Sequence, residues 1–166
     1  DLANRARFCS TFLNDGFFFF FMESVYFETY GCSHNHADKE SMKQHLSGDF
    51  RVVDAIDDAT VIVINTCAVK NKTVSNLRKR LKDIEMSYPD KKIVLAGCLV
   101  SASKPTGYKE LPELQSHSLI GTNNIQDISL ALDATEVVHL VDGEKKNPGI
   151  RISGSGIIDI VPISTG

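Results

Sequence analysis

Three cysteines, Cys32, Cys67 and Cys98, each directly follow a stretch that is typical of a β-strand. The stretches "VYFETYG", "ATVIVINT" and "KKIVLAG" are rich in β-branched, aromatic and other apolar residues. Parallel strands of an open α/β sheet end at one edge, and such domains bind their ligands outside it. A lone cysteine is commonly a small buried hydrophobic residue, but three at three strand ends favour a shared metal site.

Two histidines stand next to the first cysteine, in the sequence "GCSHNH" (residues 31–36). A structural zinc site has four ligands, usually supplied as short Cys-x-x-Cys pairs, and this chain has no such pair. His34 or His36 would have to complete a zinc site, whereas three cysteines can hold an iron–sulfur cluster that keeps one iron open. Spacing alone leaves this choice open. We expect both histidines to be polar surface or capping residues.

Polar residues near the cysteines have structural roles in the same prediction. Asn35 and Asp38 are well placed to cap the helix that follows Cys32. Asn65 and Thr66 either hydrogen-bond a metal centre or simply fix the end of their strand, and the sequence favours neither. The glycines before the first and third cysteines would let the backbone approach a bulky ligand closely.

The composition is that of one ordinary globular domain. The 166 residues carry a net charge of −3, with 42% hydrophobic and 23% charged residues, which argues against a generally basic nucleic-acid-binding protein. No apolar run reaches the roughly 18 residues that span a bilayer, so we predict no membrane partner. The few, widely spaced cysteines indicate a reducing compartment, and we expect the cytoplasm.

Strand-like and helix-like segments alternate along the chain. This alternation predicts an α/β fold: an open, doubly wound, mostly parallel sheet with helices on both faces, of Rossmann or flavodoxin-like type. Helices are predicted at residues 37–46, 73–86 and 125–134, and a looped or short-helical connection surrounds Pro105, Gly107 and Pro112. The predicted strands are 25–31, 51–55, 59–66, 91–97, 118–122 and 136–141.

Three blocks of sequence carry a resemblance to a known family. "YFETYGCSHNHADKESM", "VIVINTCAVKNKTVSNLRKRL" and "KIVLAGCLVS" together resemble the N-terminal domain of the tRNA methylthiotransferases, which are radical S-adenosylmethionine enzymes. The similarity extends over about residues 24–166 and is greatest to the archaeal and eukaryotic branch acting on N6-threonylcarbamoyladenosine. The resemblance implies that Cys32, Cys67 and Cys98 bind an auxiliary [4Fe–4S] cluster.

The resemblance also implies partners and an activity for the whole protein. The expected reaction adds a methylthio group to N6-threonylcarbamoyladenosine beside the anticodon of a tRNA, with a sulfur donor as second partner. A second [4Fe–4S] cluster and S-adenosyl-L-methionine belong to a Cys-x-x-x-Cys-x-x-Cys motif, which this sequence lacks and which we expect after Gly166. The chain alone should therefore be inactive, and we expect a monomer.

Three parts are predicted along the chain. Residues 1–23 form an N-terminal extension of doubtful status, residues 24–141 the cluster-binding domain, and residues 142–166 a linker with the first strand of a radical S-adenosylmethionine domain. Lys70 and Lys72 lie near the cysteine edge and could contact RNA, whereas residues 78–82 read as a solvated helix face. The alternatives are the isopentenyladenosine branch of the family and a non-enzymatic flavodoxin-like or zinc-binding domain.

Overall fold

A computed structural model describes residues 22–46, 48, 50–68, 71–109 and 111–143, excluding the side chains of residues 71–73. The predicted N-terminal extension, nearly all of the predicted linker and following strand, and the side chains of Lys70 and Lys72 lie outside these residues. The six strands of the described part are β1 (Glu23–Tyr30), β2 (Phe50–Val53), β3 (Val61–Thr66), β4 (Lys92–Gly97), β5 (Ser118–Ile120) and β6 (His139–Leu140).

All of these strands belong to one sheet in the order β2-β1-β3-β4-β5-β6. Every neighbouring pair is parallel. The predicted α/β class is therefore confirmed, with a sheet that is wholly parallel over the described residues. The long apolar run of β3 explains its central position, because a strand covered on both faces has no need of alternating polar residues.

Helices connect the strands. The α-helices are α1 (Ser33–Gln44), α2 (Asn71–Ser87), α3 (Cys98–Ser103) and α4 (Ile128–Asp133), and 3₁₀ turns cover Ile56–Asp58, Lys104–Thr106, Pro112–Ser116 and Thr122–Asp127. Helix α1 starts at Ser33, four residues before the predicted start at residue 37. The sequence pattern missed this first turn because residues 33–36 are polar and lack apolar periodicity. No helix in the described part is long and apolar enough to cross a membrane.

The core has two halves, one on each face of the sheet. Successive strand residues point to opposite faces, so neighbouring residues of β3 enter different clusters. Ile62 packs in the cluster that contains Leu77 and Leu81 of α2. Val63 packs in the other cluster, with Met42 of α1. Helices therefore cover both faces, as a doubly wound sheet requires.

The strand order places a topological switch point between β1 and β3. The chain leaves β1 toward β2 on one side and returns to β3 on the other, which is the flavodoxin-like order in which ligands bind outside the carboxyl ends of β1 and β3. At that edge Tyr30 pairs with Thr66, which in turn pairs with Gly97. The strand ends are thus level with one another, and each predicted cysteine ligand follows one or two residues later.

The basic run of α2 is only partly a solvated face. Lys79 and Lys82 are exposed, as predicted. Arg80 instead reaches across to β1, where its Nε and Nη2 donate to the two carboxylate oxygens of Glu28 at 2.8 and 3.0 Å, and Arg78 forms a second ion pair. A two-point arginine–carboxylate pair of this kind fixes orientation as well as charge, so Arg80 ties α2 to the sheet.

Candidate metal centre

All three predicted ligands are thiols at the carboxyl edge of the sheet. Cys32 is exposed and is the N-cap of α1. Cys67 directly follows β3 and is 3% exposed. Cys98 is the first residue of α3 and is partly buried. The structure thus places the three cysteines behind three adjacent strands, as the sequence predicts.

The backbone on both sides of Cys67 contacts the thiol of Cys98. The N–H of Ala68 donates to Cys98 Sγ at 3.0 Å. Cys98 Sγ in turn lies 3.6 Å from the carbonyl oxygen of Thr66, the residue on the other side of Cys67. The loop after β3 is therefore fixed against the start of α3, and the second and third cysteines are held side by side.

Burial raises the pKa of the Cys98 thiol above its usual value. The N–H of Ala68 acts in the opposite direction, because it stabilises the thiolate, whereas the neighbouring Cys67 thiol raises the pKa further and the amide of Asn35 lowers it. Desolvation exceeds the hydrogen bonding in this balance. A metal ion bound here would favour the thiolate, since a coordinating thiol is deprotonated by the ion it binds.

Asn35 connects the segment that carries Cys32 with the end of β3, just before Cys67. Its Oδ1 accepts a hydrogen bond from the N–H of Cys32 at 3.3 Å, so the capping role predicted for it is confirmed. Its Nδ2 donates to the carbonyl oxygen of Thr66 and to Oδ1 of Asn65, both at 3.1 Å. The hydrogen bond between Asn35 and Asn65 was not predicted from the sequence. A polar residue in the apolar run "VIVINT" did indicate that this side chain would need a buried hydrogen-bond partner.

The histidines lie apart from this arrangement. His34 and His36 are both exposed in the first turns of α1, and His34 faces Asp38. In the part of the chain that the structure describes, no three His, Cys, Asp or Glu side chains are grouped so as to hold one metal ion. A single zinc ion requires such a group, because zinc–sulfur bonds of about 2.3 Å draw its ligands together.

Asp38, three residues beyond Asn35 on α1, should make the stability of the fold depend on pH. Burial raises the pKa of its carboxyl from 3.8 to about 6, and nearby His34 only partly offsets this. Because the folded pKa exceeds the unfolded one, the native state keeps a proton that the unfolded chain has released, and stability falls as pH rises toward 6. Urea denaturation should show wild type losing about 2 kcal/mol between pH 4.5 and 7, relative to Asp38→Asn.

The Asp38→Asn chain is the matched control, since it keeps the shape and removes the titration. Other groups titrate equally in both chains, so only the difference between the two stability curves is informative. Parallel curves for wild type and variant would contradict a buried, protonated carboxyl at this position.

Comparison with known proteins places the chain in a family. Residues 24–119 match the family described as "Uncharacterized protein family UPF0004". The probable threonylcarbamoyladenosine tRNA methylthiotransferase of Methanothermobacter thermautotrophicus is 34% identical over 147 residues, which are 86% of this chain and 34% of that protein. The human threonylcarbamoyladenosine tRNA methylthiotransferase is 30% identical over 158 residues, covering 87% of this chain and 26% of that enzyme.

A relative with a different printed substrate is also similar. The ribosomal protein uS12 methylthiotransferase RimO of Prochlorococcus marinus is 33% identical over 129 residues, which are 76% of this chain and 27% of that protein. The chain thus spans about a third or less of the length of these relatives. With more than half of its residues matched by the family, the chain belongs to the UPF0004 family, the N-terminal domain of the tRNA methylthiotransferases.

Proposed function

We propose that this chain is the cluster-binding part of a tRNA methylthiotransferase and that Cys32, Cys67 and Cys98 bind an auxiliary [4Fe–4S] cluster. The observation that carries the proposal is the position of three thiols behind β1, β3 and β4, beside the switch point of the sheet. Flavodoxin-like sheets bind their ligands at this point. Membership of the UPF0004 family supports the same assignment.

The donor set suits an iron–sulfur cluster. Thiolates are the usual ligands of such clusters. Sulfur is a soft donor, so a site made of thiols favours an iron–sulfur cluster over hard cations such as Mg²⁺ or Ca²⁺. The exposed Cys32 leaves the site open to solvent on one side, while Cys67 is buried against the sheet on the other. Bound by three cysteines, the cluster would supply one iron without a protein ligand, where a sulfur species can bind.

The chain's own residues define how such a cluster would sit. The N–H of Ala68 already donates to Cys98 Sγ at 3.0 Å, which is the kind of bond that stabilises a coordinating thiolate. Cys67 would bind the cluster from the buried side of the loop, and Cys32 would bind it from the start of α1. The two histidines remain on the exposed surface of α1 and take no part.

The substrate assigned by this proposal is the threonylcarbamoyladenosine of a tRNA, beside the anticodon. Support comes from the names of the archaeal and human relatives. In the proposed whole protein, a second [4Fe–4S] cluster and S-adenosyl-L-methionine belong to regions beyond this chain, and a sulfur donor is the other partner. The isopentenyladenosine branch is the alternative substrate class. Nucleoside analysis of tRNA from cells lacking the full-length protein distinguishes the two, because only one of the methylthiolated adenosines should disappear.

Anaerobic reconstitution of the chain with iron and sulfide tests the cluster directly. We expect a brown, oxygen-sensitive protein with about four irons and about four sulfides per chain, as a cubane cluster requires. Absorption near the sulfur-to-iron charge-transfer region and low-temperature paramagnetic resonance after reduction would identify the cluster type.

A flavodoxin-like binding domain without enzymatic function is the second candidate, because the strand order is the flavodoxin order. A flavin phosphate would need open N–H groups at the start of α1, yet the N–H of Cys32 is already bonded to Asn35 Oδ1 at 3.3 Å. A colourless chain that copurifies with flavin would favour this candidate. One tightly bound zinc would equally contradict the cluster proposal.

A further inference from the structure

Two asparagines form a fully internal amide pair beneath the three thiols. Asn35 is 2% exposed and Asn65 is 0% exposed. Asn35 Nδ2 donates to Asn65 Oδ1 at 3.1 Å, and Asn65 Nδ2 donates back to the backbone oxygen of Asn35 at 2.7 Å. The bonds run in both directions between α1 and β3. A reciprocal buried pair is costly to break, because either partner would be left unsatisfied without the other.

Two glycines make room for this pair. An added Cβ on Gly31 would lie 2.3 Å from Oδ1 of Asn35, and one on Gly97 would lie 2.3 Å from Oδ1 of Asn65. Both glycines have positive φ, at +151° and +102°. Each of them directly precedes a cysteine. The amide oxygens therefore fill the space that a side chain would occupy before Cys32 and before Cys98.

The pair also contacts the thiol of Cys32 and the backbone beside the other two cysteines. Asn35 Oδ1 lies 3.6 Å from Cys32 Sγ and accepts the backbone N–H of the same residue. Asn65 Oδ1 lies 2.3 Å from where a Cβ of Gly97, the residue before Cys98, would be. Through the carbonyl of Thr66, which accepts from Asn35 Nδ2 at 3.1 Å, the pair is also bonded to the residue before Cys67. The two amides together therefore contact the segments of all three cysteines.

We propose that Asn35 and Asn65 are positioning residues that hold the three cysteine segments in place and set the reduction potential of the cluster. This inference rests on the proposed function, since it assigns the pair a role toward the same [4Fe–4S] cluster. The physical basis is general: hydrogen bonds behind the ligands orient them, and the charges and dipoles near the sulfurs help to set the reduction potential of a cluster.

Asn35→Asp is the sharpest test because it keeps the shape and the oxygen that accepts the Cys32 N–H. It removes both N–H donors and places a carboxylate beside the thiols. We expect a reconstituted variant with a midpoint potential clearly more negative than that of wild type in an anaerobic redox titration. Asn65→Ser adds no charge but removes both bonds to Asn35, so it tests the positioning role separately. We expect a lower iron content than in wild type, and this variant serves where Asn35→Asp does not fold.

Asn124 supplies the matched control. It is similarly buried, at 8% exposure, and its amide bonds the N–H of Gly143 and the carboxylate of Asp127 rather than any thiol segment. Asn124→Asp should destabilise the fold in urea while leaving iron content and midpoint potential at wild-type values. This separates a loss of packing from an effect on the cluster.

The outcomes divide cleanly. A wild-type chain that binds no cluster overturns the proposed function and this inference together. A wild-type chain that loads four irons, beside Asn35→Asp and Asn65→Ser chains with wild-type loading and potential, overturns the positioning role alone. Loss of the cluster from a folded Asn35→Asp chain supports the role if Asn124→Asp keeps its cluster, and contradicts it if both chains lose theirs.

Discussion

Replacing Cys67 by alanine should abolish cluster loading while the chain remains folded. Cys67 is 3% exposed and follows the central strand, between the segments that carry the other two cysteines. Two remaining thiolates cannot complete a three-cysteine cubane, so we expect iron and sulfide contents near zero after anaerobic reconstitution. The lost side chain is small, and the cavity it leaves should cost only about 1 kcal/mol, well within the stability of a typical domain.

Two controls make this result specific. Cys9→Ala is a matched cysteine substitution outside the described residues, and it should load as wild type does. His34→Ala tests the imidazole nearest to Cys32, and it should also retain full loading because His34 lies on the exposed surface of α1. Full iron content in Cys67→Ala would show that Cys67 is not a ligand. Loss of iron from His34→Ala would instead indicate that His34 is a ligand.

The architecture was accessible from sequence because its causes are local. The apolar runs of β3 and β4 are buried on both faces, and their length and β-branched content distinguish them from helices. The spacing of Leu77, Leu81 and Ile84 identifies α2 in the same way, and all three are buried. Helix α3 was less visible, since its six residues offer too short a pattern and Pro105 lies just beyond its end.

Only part of the site could be predicted from the sequence. The placement of three cysteines follows from the rule that parallel strands end together, which needs no knowledge of side-chain contacts. The asparagine pair is different, because Asn35 and Asn65 are 30 residues apart and meet only through the packing of α1 on the sheet. The same limit applies to the glycines. That these positions require glycine was predicted, but the amide oxygens that a Cβ would meet there could not be.

Gly97→Ala should be among the most destabilising single substitutions in this fold. The φ of Gly97 is +102°, a conformation that side-chain-bearing residues rarely adopt. The new Cβ would also lie 2.5 Å from the carbonyl oxygen of Thr66 and 2.3 Å from Asn65 Oδ1. The first of these is backbone of a neighbouring strand and cannot move without disturbing the sheet. Backbone strain and overpacking together predict a loss of about 3 to 5 kcal/mol in urea denaturation.

Gly107→Ala is the comparison without a collision, because Gly107 also has positive φ, at +59°, yet no heavy atom lies within 4 Å of an added Cβ. It should lose only about 1 to 2 kcal/mol, the usual cost of the left-handed conformation. The difference between the two variants then reports the collision with Thr66 and Asn65 together with the greater backbone strain at Gly97, whose φ and ψ are +102° and −169°. Because that collision lies directly before Cys98, Gly97→Ala should also load less iron than Gly107→Ala under identical reconstitution. Equal stability losses in the two chains would mean that strand ends β3 and β4 are not packed against each other as closely as the structure shows.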